Sequence, residues 1–196
     1  GGQILRISVA CSAIIKRPVH VSNIRAGRPK PGLSNQHLAG IQLCAELAQT
    51  KLPNSCCLGS TDLRFVPVGL KAGSYSADAI TAGSVALLLQ VAVPVLAFVR
   101  SDSQKANTLT LRGGTDAQFA PPIDYMAQIT FYYFSLLGLH CSLEIRRRGF
   151  YPQGGGLINA EIQALTSPLR AIELIDFGTE QQITGQCFVA GKVPIK

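Results

Sequence analysis

The feature that most constrains this chain is a repeated order of elements. From Ser74 the pattern reads as a strand (Tyr75 to Ile80), an apolar helix (Ala82 to Val99) and a second strand (Leu109-Thr110-Leu111-Arg112). A loop (Gly113 to Pro122), a helix carrying Ile123, Met126, Ile129 and Tyr133, and two strands (Leu143 to Arg147 and Leu157 to Ala164) complete the unit. Helices are read from apolar side chains at three- and four-residue steps, strands from alternation. The preceding residues show the same order without the first strand. Ile4, Ile7, Cys11 and Ile14 predict an amphipathic helix ending near Lys16-Arg17-Pro18, and Val19 and Val21 alternate with His20 and Ser22 as a strand. After Pro31-Gly32, Leu38, Ile41, Ala45 and Ala48 mark a second helix. Leu63 and Phe65, alternating with Asp62 and Arg64, form a strand that stops near Val66-Pro67, with another strand expected at Cys56 to Leu58. Two copies of strand, helix, strand, helix, strand, strand imply an α/β (α+β) fold of tandem βαβαββ units. The expected division is 1–72 for a first unit lacking its first strand, 73–168 for a complete second unit, and 169–196 for the start of a further, strand-rich region.

Charge separates the two units. The chain has 18 Lys and Arg against 11 Asp and Glu. Six of the basic residues (Arg6, Lys16, Arg17, Arg25, Arg28 and Lys30) and none of the acids fall before Glu46. A local positive field of this kind suits a polyanion, a nucleic acid or a nucleotide polyphosphate, as it also suits a solvated basic face. Charged residues make up only 15% of the chain, so much of its surface is expected to meet other protein. The six cysteines have no CxxC or zinc-ligand spacing and read as reduced core residues. Ala79 to Val99 runs without a charge for the length of a membrane span, but Gln90 and Pro94 interrupt it, and a buried core helix is the expectation; no membrane association is expected.

The known nucleotide devices are missing: no GxxxxGK[ST], no GxGxxG ahead of a helix, and Gly154-Gly155-Gly156 lies between strands as a tight turn. No HExxH, GxSxG or kinase signature occurs. What stands out is a series of loop segments: GGQILR (1–6), IRAGRPKPGL (24–33), NQHL (35–38), TAGS (81–84) with Gln90, RGGTDAQFAPP (112–122) and RRRGFYPQGGG (146–156). In this order they resemble the RNA 3'-terminal phosphate cyclase family, over nearly the whole chain up to about Pro168.

The resemblance implies three βαβαββ units, similar to the C-terminal domain of translation initiation factor three, with a smaller domain inserted between the second and third. It implies ATP-dependent conversion of an RNA 3'-phosphate to a 2',3'-cyclic phosphodiester through a histidyl adenylate and an RNA adenylate, with ATP and Mg2+ (or another divalent ion) as cofactors. Partners are then an RNA with a 3'-phosphate end and ATP; protein partners are not indicated. The expected location is the nucleus (nucleoplasm) or the cytoplasm. Arg6, Arg25, Arg28 and Gln36 match the family's phosphate-handling positions, with Lys30 assisting, while Gln90 and Pro121 match its adenylate-contacting positions. From the residues alone, Arg6 reads equally as the wet face of the first helix, Arg25 and Arg28 as strand-end charges, Gln36 as an early-helix polar residue and Gln90 as a satisfied buried amide. Asp116 reads as a turn former, and Arg146, Arg147, Arg148 and Tyr151 as an RNA track or a basic strand end. The family's adenylated histidine belongs to the third unit and an acidic metal-linked residue precedes the GGGQ motif. None of His20, His37 or His140 is therefore assigned as nucleophile, and residues 1–196 alone are expected to be inactive. A non-catalytic cyclase-like protein of ribosome assembly is the alternative; this chain keeps Gln36-His37-Leu38 and Gly113-Gly114-Thr115-Asp116, which favour the enzyme.

Overall fold

The computed structural model describes residues 1–100, 106–176, 178–179 and 182–189. The first unit contains α1 (Gly2–Ile15), β1 (Val19–Val21), α2 (Asn35–Leu47) and β2 (Leu63–Phe65). The second contains β3 (Ser74–Asp78), α3 (Val85–Ala97), β4 (Asn107–Gly113), a helical run of α4 (Ile123–Tyr125), a π-helical turn (Met126–Thr130) and α5 (Phe131–Leu136), then β5 (Cys141–Arg147) and β6 (Gly156–Ile162). The predicted α+β class is present, and α1, β1, α2 and β2 follow the order expected of the first unit with one strand fewer than expected.

The second unit closes a four-stranded sheet in the order β3-β4-β6-β5, with β3 parallel to β4 and the other pairs antiparallel. The first unit has a two-stranded sheet, β1 antiparallel to β2, in the place that β4 and β6 hold in the second. The strand expected at Cys56 to Leu58 does not form. That segment is a series of turns, Cys56 N–H donating to Pro53 O and Ser60 N–H to Cys57 O.

Helices α1, α2 and α3 pack together and join both units in one core. All of α3 is buried except Gln90 and Pro94. A helix apolar all round belongs inside a protein, and none of the described helices is long and apolar enough to cross a membrane. On α1 the expected stripe is corrected. Leu5, Val9, Ala10 and Ala13 face the core, whereas Ile4 and Ile7 are 62% and 53% exposed and Cys11 is exposed. The helix carries two apolar stripes at the same spacing, and contact with α2 and α3 selects the one that includes the smaller Ala10 and Ala13.

Past Ile162 the described residues form no helix or strand. The expectation of a strand-rich region over 169–196 falls partly on Phe177, Glu180, Gln181 and residues 190–196, outside the described residues.

Candidate functional site

Four loops and helix ends meet over the N-terminus of α1. They enclose a cleft of about 480 Å³ lined by Gly1, Gly2, Gln3, Arg6, Arg25, Arg28, Gln36, His37, Leu87, Gln118 and Phe119. Among the described residues that line it there is no acid. Arg6, Arg25, Arg28 and Gln36, named from the sequence as one group, are brought together here. Lys30 is exposed and does not line the cleft.

The three cations differ in how local structure treats them. Arg6 lies one turn into α1; burial lowers its pKa from the ordinary arginine value. Among the described residues its buried Nε has no hydrogen-bond partner. A buried guanidinium nitrogen without an acceptor is costly unless an anion meets it. Arg25 takes a left-handed backbone (φ 54°) and donates from its guanidinium to Gly32 O at 2.7 Å, which turns the 24–33 loop back on itself. The same loop is tied to the chain ahead of β2, Ile24 N–H donating to Thr61 O at 2.9 Å and Leu33 N–H to Ser60 O at 3.0 Å. Arg28, at its tip, is exposed.

Gln36 does more than face the cleft. Its amide oxygen accepts from the backbone N–H of Ser84 at 2.8 Å, across 48 residues, so the first turn of α2 is fastened to the N-cap of α3. Gly83 makes the approach possible: a Cβ there would lie 3.2 Å from the Cβ of Gln36 and 3.0 Å from that of Ala79.

His37, which the sequence does not mark as a nucleophile, also lines the cleft. Ser34, the N-cap of α2, donates its N–H to His37 Nδ1 at 3.2 Å, and its hydroxyl is 2.8 Å from the same nitrogen. Nδ1 is therefore the acceptor, and the neutral ring carries its proton on Nε2. Burial first, then the charges of Arg25 and Arg6, lower its pKa to about 4. The ring is thus neutral near pH 7 and offers an N–H donor. A Cβ at Gly2 would stand 2.4 Å from Nε2, so a larger residue there would require the ring to shift. The signal available in the sequence was the helix-start spacing of Ser34 and His37. Gln118 and Phe119, from the loop after β4, were also missed; nothing in composition or periodicity singles them out.

Gln90 and Pro121 line a different, apolar cavity of about 320 Å³ between α3 and the α4–α5 run, with Leu89, Val93, Pro94, Tyr125 and Met126 among its walls. Gln90 is exposed, which corrects its reading as a satisfied buried amide. The two spaces are neighbours: Leu87 and Gln90 stand on the same helix, and Phe119 and Pro121 on the same loop.

The basic run at the end of β5 is largely engaged. Arg146 pairs with Glu144 at 2.9 Å, and Arg147 donates to Gly155 O at 2.7 Å. Arg148 makes two bonds to Asp124, at 2.6 and 2.8 Å, and lies 3.7 Å from Asp116. The hydrogen bonds and charge of Arg148 hold the Asp124 carboxyl below its ordinary pKa despite partial burial. Of the two sequence readings for this run, these pairings fit the structural one. The described residues contain no group of three or more His, Cys, Asp or Glu that would cage a metal ion, so the Mg2+ expected from the resemblance finds no protein cage among them.

A cleft of this kind, with three guanidiniums, an amide, a neutral imidazole N–H and no carboxylate, has the chemistry that suits a phosphate. The family model described as RNA 3'-terminal phosphate cyclase matches residues 1–192. The chain is 42% identical over 175 residues to the RNA 3'-terminal phosphate cyclase of Thermococcus kodakarensis, covering 88% of this chain and 49% of that one. To that of Desulfurococcus amylolyticus it is 39% identical over 178 residues, 91% of this chain and 48% of the other. The Drosophila melanogaster protein of the same name is 36% identical over 195 residues, 100% of this chain and 52% of that one. The chain spans about half the length of the curated relatives it matches.

Proposed function

This chain belongs to the RNA 3'-terminal phosphate cyclase family, and on that premise we propose that the whole protein uses ATP to convert an RNA 3'-terminal phosphate into a 2',3'-cyclic phosphodiester. A phosphate monoester is a poor electrophile toward the adjacent 2'-hydroxyl, so it is activated first. AMP passes from ATP to a protein histidine with release of pyrophosphate, and from histidine to the RNA 3'-phosphate. The 2'-hydroxyl oxygen then attacks the 3'-phosphorus, the bond from that phosphorus to AMP breaks, the hydroxyl proton is lost, and AMP leaves. In keeping with the sequence reading, no histidine of residues 1–196 is assigned the nucleophilic role.

The residues of this chain bind and align. Arg6, Arg25 and Arg28 neutralise the 3'-phosphate, Arg6 Nε gaining the acceptor it otherwise lacks. His37 Nε2–H and the amide nitrogen of Gln36 supply neutral donors that do not compete for the charge. Arg25, tied to Gly32 O before the substrate arrives, stabilises negative charge at the phosphorus without reorganising. Gln90 and Pro121 take the adenylate side, the proline and its apolar neighbours facing the base and the amide reading its edge. The convergence of Arg6, Arg25, Arg28, Gln36 and His37 on one acid-free cleft carries this reading.

The test uses the full-length protein with radiolabelled ATP and a divalent ion. We expect an acid-labile covalent adenylate, and cyclisation of RNA ending in 3'-phosphate but not in 3'-hydroxyl. Neither product forms if the protein acts only by binding, as in the ribosome-assembly alternative.

A further inference from the structure

The loop between β4 and α4 is closed at its base. Ile123 N–H donates to Thr115 O at 2.9 Å, so residues 116–122 leave and return at one point. A single guanidinium braces both ends: Arg148 makes its two bonds to Asp124 and stands 3.7 Å from Asp116. Thr115 Oγ1 donates to Asp116 Oδ2 at 2.7 Å, and Gly149 N–H donates to Thr115 Oγ1 at 3.1 Å. A loop held this way presents a defined tip, and the tip is Phe119.

Two features of Phe119 conflict with a structural role. Its backbone is left-handed (φ 60°), a region that a β-substituted residue enters only at a cost and that glycine or asparagine fills freely. Its ring is fully exposed, so no burial offsets that cost. Strained, over-determined backbone points toward function. The ring stands on the rim of the cationic cleft, beside Gln118 and in the same lining as Arg6, Arg25 and Arg28.

We propose that Phe119 is a stacking platform for the 3'-terminal nucleobase of the RNA whose phosphate those arginines hold. The inference rests on the phosphate-site reading above. Base and 3'-phosphate are attached to one ribose, so a phosphate in the cleft carries its base to the rim. A cationic groove flanked by an aromatic ring is the arrangement that holds single-stranded nucleic acid, and stacking accepts any base because every base has a π face. The adenine of ATP is the other source of a base. Phe119 faces the cleft of the arginines, whereas Pro121 faces the apolar cavity, which assigns the ring to RNA.

The experiment measures equilibrium binding by full-length wild-type, Phe119→Ala and Phe119→Trp proteins. The ligands are an oligoribonucleotide ending in 3'-phosphate, the same strand with an abasic terminal ribose 3'-phosphate, the 3'-hydroxyl strand, and ATP. Wild type should prefer the base-bearing phosphorylated end over the abasic one by about tenfold. Phe119→Ala should lose that preference, Phe119→Trp should keep it, and ATP affinity and Tm should stay unchanged in both. Equal weakening of the abasic and base-bearing strands, a lowered Tm, or a loss confined to ATP each overturns the proposal. A Phe119→Ala protein that behaves as wild type on every ligand sinks the platform alone. A wild type that does not distinguish 3'-phosphate from 3'-hydroxyl sinks the phosphate-site reading and the platform with it.

Discussion

The two units share an order of elements and differ in what their backbones do. In the second, the strand β5 fills the sheet edge beside β6, pairing from Cys141 opposite Ile162 to Arg147 opposite Leu157 with one shift of register after Ile145. At the corresponding place in the first, residues 51–60 turn instead, and the chain just ahead of β2 binds the arginine-bearing loop. Ile24 N–H donates to Thr61 O, Leu33 N–H to Ser60 O and Gly59 N–H to Leu33 O. The amides and carbonyls that close a sheet in one copy hold Arg25 and Arg28 over a cleft in the other. Side-chain composition follows the same division. The unit with the complete sheet also supplies α3, the most apolar helix, while the unit with the short sheet supplies the three guanidiniums. A repeated architecture lets one copy carry stability and the other carry charge, provided that both share a core.

The sharing is open to attack at Leu88. This side chain is 1% exposed on α3, and its Cδ2 would lie 3.7 Å from a Cβ at Gly40 on α2, so it packs across the two units. Leu88→Ala should cost about 2–5 kcal/mol. If the core is common, denaturant unfolding followed by far-UV circular dichroism and by tyrosine fluorescence should shift together in one transition. Two separated transitions, with only one moved by the substitution, would break the picture of a single core.

How far the division could be read in advance depends on the kind of signal. Period and alternation located α1, α2, α3, β4, β5 and β6 because those patterns follow directly from which side chains must leave water. They failed at Cys56 to Leu58, where a short run satisfies strand preference but the backbone bonds locally in turns, to Pro53, Ser55 and Ser60, while residues 59–61 bond the 24–33 loop. They failed again on α1, which has apolar residues on two faces, and only the docking of α2 and α3 decides between Leu5 with Val9 and Ile4 with Ile7. The arginines were legible as charge without acid. Their grouping came from the family resemblance rather than from charge or period, since Arg6 lies on α1, Arg25 and Arg28 on the 24–33 loop and Gln36 on α2, and the elements meet only in space. Phe119 and His37 left no periodic trace: one matters through its backbone angle and exposure, the other through Ser34 and two neighbouring charges.

Gln36 joins the two units and faces the site, so its substitutions sharpen the comparison at a smaller scale. Gln36→Leu leaves the N–H of the buried Ser84 without its acceptor and should cost about 1–2 kcal/mol. Gln36→Glu retains an acceptor at the N-terminus of α3, where negative charge is favourable. It should recover most of that stability while placing an anion in the cleft. Thermal unfolding should therefore separate Leu from Glu, and phosphate-ended RNA binding should separate Gln from both. Equal stability of all three would show that the Ser84 bond does not fasten the units.

The smallest stability effect belongs to Arg28, and that is its value as a probe. The side chain is exposed at the tip of a loop whose shape is set by Arg25, Gly32 and the 59–61 backbone, so the fold does not depend on it. Arg28→Ala should change stability by no more than about 0.5 kcal/mol. If the first unit's charge serves to hold a phosphate, the same change should weaken binding of a 3'-phosphorylated RNA and reduce the slope of log affinity against log salt by about one. A marked fall in Tm would make Arg28 a structural cation and remove the contrast between a unit built for stability and a unit built for charge. An unchanged salt slope with unchanged Tm would leave the contrast in the fold but take Arg28 out of the phosphate site, confining the recognition to Arg6 and Arg25.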